Sequence, residues 1–318
     1  MKPKIYIDGH VGTTGLRIRD WMEARQDVEL LTLPEAQRKD SGARREYVRA
    51  ADLAILCLPD SAAHEAVEWA ADAPTRIIDA SSAHRVSPGW VYGLPELAPG
   101  QRDVIRKAKL VSNPGCYPSG FILLVRPLID AGLLSAEVPL MIHALSGYSG
   151  GGRQLIAKWE DPQDKLLALP YEAPYALDRM HKHVPEMIEY SGLRREPYFE
   201  PAVGPFRCGM RVQVPLHTCL LRPGTPARSV WATLHERYRD EPFVKVQPFK
   251  EKLDTHERSY DPLACNDTNR MELHVLPHPS GHVLLMAILD NLGKGASGVA
   301  IQSLNLMLGL EETAGLTS

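Results

Sequence analysis

The stretch Lys4-Ile5-Tyr6-Ile7-Asp8-Gly9-His10-Val11-Gly12-Thr13-Thr14-Gly15-Leu16-Arg17-Ile18-Arg19-Asp20-Trp21-Met22 decides the fold. Residues 3–8 are short and apolar enough for a strand, residues 9–15 are a glycine-rich turn, and residues 16–22 carry apolar side chains at helical spacing. Strand, tight turn and helix in that order make a βα unit whose helix N-terminus can hold a pyrophosphate. The spacing is G-x-x-G-x-x-G, not the commoner G-x-G-x-x-G, so the pattern alone is weak. Its place behind the first strand favours a dinucleotide site at Gly9, Gly12 and Gly15. The alternative is a turn that only lets helix and strand pack closely.

Outward from this unit the alternation continues. Residues 28–33 read as a second strand, whose end would face an adenosine ribose. Glu35 there argues for a free 2′-hydroxyl, Arg38 and Lys39 for a 2′-phosphate, and the two cations tilt the reading to NADP. Residues 52–58 and 75–79 read as buried strands, with a helix over 62–71 between them and the polar turn 80–85, including Ser82, after the second. The expected class is α/β, a Rossmann-type doubly wound parallel sheet.

The next stretch, Ser112-Asn113-Pro114-Gly115-Cys116-Tyr117-Pro118-Ser119-Gly120, follows another short strand and leads into an apolar helix over about 117–131. Cys116 therefore stands where a helix begins. Helix-start amides and the macrodipole favour a thiolate; Gly115 and Gly120 are expected to keep the sulfur accessible. A small buried thiol is the competing reading.

Beyond it the pattern shifts. Residues 139–145 form a strand, and Ser146-Gly147-Tyr148-Ser149-Gly150-Gly151-Gly152-Arg153 reads as a flexible loop whose amides suit an anion. Pro185 and Glu186 open a helix, placing His183 just outside its N-terminus, where the neutral base form is favoured. Strands over 211–216, 271–275 and 282–289 suit a mixed or antiparallel sheet. A last helix over 299–310 is expected to pack back on the first domain. The domains expected are 1–115 with 296–318, and an α+β domain over 116–295.

Composition sets the outer bounds. The 318 residues carry a net charge of −3 and 44% hydrophobic residues, with no basic run, so nucleic-acid binding has no support. No secretory-type start and no uninterrupted apolar run of about 18 residues occurs, which argues against a membrane. Five scattered cysteines without a C-x-x-C pair indicate neither a disulfide framework nor a metal site, and suit a reducing cytoplasm.

Taken together, Gly9-x-x-Gly12-x-x-Gly15, the 112–118 block, Ser146-Gly-Tyr-Ser149-Gly, His183-Val-Pro-Glu186 and Asp290-Asn291-Leu292-Gly293-Lys294-Gly295-Ala296 resemble the N-acetyl-γ-glutamyl-phosphate reductase family in its shorter form. The resemblance spans nearly the whole chain. It implies an NADPH-dependent, homo-oligomeric (dimeric or tetrameric) enzyme of arginine biosynthesis. That enzyme would reduce N-acetyl-L-glutamyl 5-phosphate to N-acetyl-L-glutamate 5-semialdehyde through a thioester.

The resemblance further makes Cys116 the nucleophile and His183 the acid/base group, and sets Asn291 near the nicotinamide. Arg38 and Ser82 complete the expected cofactor contacts. Ser149, Arg153 and Arg207 are candidates for the substrate carboxylate and phosphate, since guanidinium groups bind both bidentately. Two alternatives stay open: an aspartate-semialdehyde dehydrogenase-like reductase, and a non-catalytic regulator that senses NADP.

Overall fold

The computed structural model describes residues 2–10 and 12–318, so Val11 of the glycine turn lies outside the described residues. The chain divides into two compact units, residues 1–114 with 296–317, and residues 115–295 with 318.

In the first unit the elements run β1 (Lys4–Asp8), α1 (Thr13–Glu23), β2 (Glu29–Leu31), α2 (Ser41–Ala50), β3 (Leu53–Leu56), α3 (Asp60–Trp69), β4 (Arg76–Asp79), β5 (Val91–Tyr92), α4 (Gln101–Lys107) and β6 (Leu110–Ser112). The six strands are all parallel, in the order β2-β1-β3-β4-β6-β5. Successive side chains of a strand point to opposite faces, and both faces here are covered. Ile5, Ile7, Leu53, Ile55 and Ile78 join one core with Ile18 and Met22 of α1, while Tyr6, Ala54, Leu56 and Ile77 join a second with Val48 and Ala66. Such strands carry near-continuous apolar runs, as the sequence does.

The order of strands reverses direction between β1 and β3, the position where a doubly wound sheet opens a crevice at its carboxyl edge. Gly9 follows β1 there. The helix Gly298–Leu308 supplies Ala300, Ile301, Leu304, Leu306 and Met307 to the first core, so residues from both ends of the sequence build this unit.

The second unit begins with α5 (Cys116–Asp130), followed by β7 (Met141–Gly147), α6 (Gly152–Glu160), β8 (Ala173–Pro174), α7 (Val184–Ser191), β9 (Tyr198–Gly204), β10 (Met210–Leu216), α8 (Ala227–Tyr238), β11 (Val244–Val246), β12 (Met271–Pro277) and β13 (Val283–Leu289). The strands form one mixed sheet, β11-β12-β13-β10-β7-β9-β8. Met210, Val212 and Val214 of β10 turn inward and Arg211, Gln213 and Pro215 outward, the alternation of a sheet with one covered face. Helix α5 lies on the covered face. A side chain at Gly120 would press on Val212 and Ala287, both 3.2 Å away. Gly120 therefore serves close helix–sheet packing and does not open a path to the sulfur, which corrects the sequence expectation.

Candidate active site

Within the first unit, two glycines of the turn stand against neighbouring backbone. Gly9 sits at φ +84° and a Cβ there would collide with the Cys57 carbonyl; a side chain at Gly15 would collide with Gly9. Gly12 caps α1 without any side-chain cap, and its carbonyl accepts from the Leu16 amide at 2.8 Å. Helix α1 thus starts at Thr13 and Thr14 with first-turn amides that have no intrahelical acceptor. First-turn amides at a strand end of a doubly wound sheet fit the pyrophosphate of a dinucleotide.

The other expected cofactor residues are nearby in sequence but differently occupied. Arg38 is exposed and pairs with Glu35 at 2.8 Å, so the carboxylate and one of the two cations weighed against each other in the sequence in fact neutralise one another. Ser82 donates through its backbone amide (3.0 Å) and its hydroxyl to the Asp60 carboxylate. Asp8, at the end of β1, is held bidentately by Arg44, which also stacks over Trp69.

In the second unit, Cys116 is the first residue of α5 and is partly exposed. Gly115, its N-cap, donates its amide to Oε2 of Glu186 at 2.9 Å, and Glu186 is 1% exposed. The start of the cysteine helix is therefore anchored to α7, the helix that follows His183. His183 is the N-cap of α7 and is buried. Around both lies an aromatic cluster: the His183 ring is 4.7 Å from that of His181 and 5.8 Å from that of Tyr117, and Phe199 closes the group. Gly295 abuts the sulfur-bearing residue, since a Cβ there would stand 2.8 Å from the Cys116 Cβ.

The remaining thiols are placed differently. Burial, with the Asp79 and Asp8 carboxylates adding to it, pushes the Cys57 thiol up to about 12. Burial likewise pushes Cys265 up to about 11. Neither supplies thiolate at neutral pH. Cys208 lies 3.5 Å from the Ser149 hydroxyl and Cys219 is exposed beside His217. Among the described residues no group of three or more His, Cys, Asp or Glu side chains could hold a metal ion.

The serine- and glycine-rich segment differs from its expectation. Rather than a flexible loop, it is the end of β7, a 3₁₀ turn (Tyr148–Gly151) and the start of α6, with Tyr148 and Ser149 buried. The amides of Gly147, Tyr148 and Ser149 donate to the carbonyls of Gly209, Phe206 and Arg207 at 2.9, 3.0 and 3.0 Å. Those groups are no longer available to an anion.

Asn291 reinforces the same turn: its Oδ1 accepts from the Gly209 amide at 2.9 Å and its Nδ2 donates to the Ser149 hydroxyl at 3.0 Å. Arg207 is exposed on Glu160 at 3.4 Å. Arg153 is exposed at the first turn of α6 and forms no ion pair among the described residues.

Sequence reading missed Glu186 as an anchor and Tyr175 as a neighbour of the cysteine. Only the proline–glutamate helix start hinted at the first. Nothing in the sequence hinted at the second.

Comparison with known proteins accounts for both units. The semialdehyde dehydrogenase NAD-binding domain matches residues 4–106, and the semialdehyde dehydrogenase dimerisation domain matches residues 116–291. Aspartate semialdehyde dehydrogenase II of Vibrio cholerae superposes with a TM-score of 0.71 at 16% identity, over 97% of this chain and 99% of that one. The Francisella tularensis enzyme does so with a TM-score of 0.71 at 14% identity, over 97% and 100%. At such identities the likeness is one of fold.

The sequence relatives are nearer. N-acetyl-gamma-glutamyl-phosphate reductases of Brucella ovis and Brucella abortus (strain S19) are each 50% identical over 311 residues, 97% of this chain and 100% of theirs. The chain belongs to the N-acetyl-gamma-glutamyl-phosphate reductase family of the semialdehyde dehydrogenases.

Proposed function

We propose that the chain reduces N-acetyl-L-glutamyl 5-phosphate to N-acetyl-L-glutamate 5-semialdehyde with release of phosphate, as a step of arginine biosynthesis, through a thioester on Cys116. The family supports the reaction. The observation that carries the mechanism is the position of Cys116 at the first residue of α5, with its N-cap anchored by Glu186 and two imidazoles in the adjoining cluster. Helix-start amides and the macrodipole stabilise the thiolate.

The thiolate attacks the acyl carbon. A C–S bond forms as the C–O bond to phosphate breaks, and phosphate departs with that electron pair. Reduced nicotinamide, when bound, supplies the hydride that converts the thioester carbonyl to a thiohemiacetal oxyanion. His183 gives a proton to that oxygen and takes it back as the C–S bond breaks, returning Cys116 to thiolate. First-turn amides of α5 are suited to the developing oxyanion.

The NAD(P)-binding unit takes in residues 1–115 with 296–318, and residues 116–295 carry catalysis. Gly9, Gly12, Thr13, Thr14 and Gly15 hold the pyrophosphate, and Ser82 follows a strand end of the same sheet. We assign NADPH over NADH: Lys39 stands beside Arg38 after β2, and Arg38 can exchange its exposed Glu35 partner for a 2′-phosphate. Asn291 fixes the Ser149 turn and keeps one Nδ2 proton for the nicotinamide. Exposed Arg153 and Arg207 are offered to the carboxylate and phosphate of the substrate, with Ser149 ordering the turn between them.

The protein acts as a homo-oligomer. The outward face of the second sheet carries a cavity of about 630 Å³ lined by Arg211, Gln213, Leu276, His282, Leu284 and Met286, within the segment matched by the dimerisation domain. A second copy of this chain is the occupant we assign to it. Leu284→Glu then yields monomers in light scattering at micromolar concentration, and an unchanged mass overturns the assignment. The cytoplasm suits five free thiols, and no helix among the described residues is long and apolar enough to cross a membrane.

The deciding assay runs the reaction backwards, following phosphate-dependent reduction of NADP by N-acetyl-glutamate semialdehyde. Cys116→Ala is expected to lose about 10⁴-fold in rate and His183→Ala about 10²–10⁴-fold. Retained activity in Cys116→Ala ends the covalent scheme. Preference for aspartate semialdehyde in the same assay would make the chain the aspartate-semialdehyde type of reductase. Binding of NADP without turnover of either aldehyde would make it a regulator.

A further inference from the structure

Four hydrogen-bonding groups run in file beside Cys116. Nδ1 of His181 accepts the backbone amide of His183 at 3.2 Å. An imidazole that accepts at Nδ1 while neutral carries its proton on Nε2, and Nε2 lies 3.3 Å from the Tyr175 hydroxyl. That hydroxyl, having accepted from His181, donates to the Tyr117 hydroxyl at 3.2 Å. Tyr117 is 2% exposed and is the next residue after Cys116.

The file is threaded through ring packing that leaves it little freedom. The Tyr175 and His181 rings stand edge to face at 5.6 Å, and His181 meets Phe199 at 5.3 Å. Burial holds the Tyr175 phenol well above its ordinary value, with the nearby Cys116 adding to the effect, so it stays protonated and able to donate throughout the neutral range. The segment that delivers Tyr175 is itself held in an unfavourable conformation. Ala176 sits at φ +53°, a left-handed position that costs a non-glycine residue about 1 kcal/mol or more, while the Tyr175 amide is pinned to the Pro201 carbonyl at 3.1 Å.

We propose that Tyr175 and His181 are positioning residues for the reaction: together they fix the backbone of His183 and the start of α5 in one geometry, so that base and thiol meet the same carbonyl carbon. Neither touches the reacting atoms. Both act through His183 and Tyr117. The inference rests on the reductase reading given above.

Tyr175→Phe keeps the ring and removes both hydrogen bonds. It is expected to lower kcat about 10–100-fold, the size of effect that a misplacement near 1 Å produces, with KM for the aldehyde and for NADP changed less than about threefold. His181→Asn keeps an acceptor where Nδ1 stood, two residues before the amide it serves, and loses the donor to Tyr175; its kcat is expected to fall by a similar factor. The double variant is then no worse than the weaker single variant, because both substitutions break one file.

A kcat for Tyr175→Phe within twofold of the parent overturns the proposal, as do losses confined to KM or losses that multiply in the double variant. If Tyr175→Phe does not fold, Tyr117→Phe removes the last link and decides by the same kcat-against-KM criterion. A parent protein that turns over no acyl phosphate would end the reductase reading itself. An active parent with an indifferent Tyr175→Phe ends this inference alone.

Discussion

Two glycine-rich turns, 9–15 in the first unit and 146–152 in the second, look alike in the sequence and do different things in the molecule. Both follow a strand and precede a helix, and both offer backbone amides. At 9–15, side chains at Gly9 or Gly15 would strike neighbouring backbone, and the first-turn amides of α1 have no intrahelical acceptor. At 146–152 three consecutive amides are bonded to carbonyls of residues 206, 207 and 209, and Gly147 is bare because the Arg207 carbonyl passes where its side chain would be. The difference teaches that glycine density announces close approach of backbone, and that only the destination of the N–H groups tells whether the approaching group is a ligand or another part of the chain.

The largest effect that would test the contrast is expected from Gly9→Ala. Positive φ and a collision with the Cys57 carbonyl together cost about 3–5 kcal/mol, read as a lower urea midpoint with loss of NADP binding. Gly147→Ala meets the Arg207 backbone at an ordinary φ of −64° and should cost about 2–3 kcal/mol while the Kd for NADP in the folded fraction stays put. If Gly147→Ala instead weakened an anion's binding and spared stability, the two turns would be alike after all.

Asn291→Ala strips the Gly209 amide and the Ser149 hydroxyl of their partner, for about 2 kcal/mol by urea titration. Ser149→Ala is expected to cost about 1 kcal/mol without raising the KM for the aldehyde, and a tenfold rise in KM would make Ser149 a ligand in its own right. Smallest of all, Arg153→Ala should leave stability within about 0.5 kcal/mol, as for an exposed side chain with no ion pair, and show itself only in the KM of the anionic substrate.

A further expectation concerns the thiols. With burial pushing Cys57 to about 12 and Cys265 to about 11, iodoacetamide at pH 7 should label Cys116 and exposed Cys219 and spare Cys57 and Cys265. Their reactivity should rise only as the pH approaches those values, since the thiolate is the reacting form. Rapid labelling of Cys57 at pH 7 would contradict its setting between β3 and the carboxylates.

What the sequence made legible follows the range of the interactions involved. Buried parallel strands show as apolar runs, because both faces are covered, and so β1, β3 and β4 could be read directly. Helix starts at Gly12, Gly115 and His183 depend on adjacent residues and could also be read. Helix α2 was not recognised: it buries only Val48 among charged neighbours, which leaves no apolar stripe to find. Strand β9 was missed because its sequence, Tyr-Phe-Glu-Pro-Ala-Val-Gly, does not alternate.

The helix-start positions of Cys116 and His183 could be read from adjacent residues. Glu186 bonds an amide 71 residues away, and Tyr175 reaches a hydroxyl 58 residues away. No local pattern encodes such partners. The loop over 146–152 was misjudged for the same reason, since its amides find carbonyls about 60 residues further along the chain.

The helix Gly298–Leu308 has a consequence for biosynthesis. It lends five side chains to the core of the nucleotide-binding sheet, so that sheet cannot close its apolar face when its own strands leave the ribosome. At about 5–20 residues per second, the roughly 180 residues in between take on the order of ten to forty seconds to emerge. During that interval the nascent sheet exposes Ile5, Leu53 and Ile55 to whatever chaperone is at hand, while the second unit, encoded almost without interruption, is free to fold first.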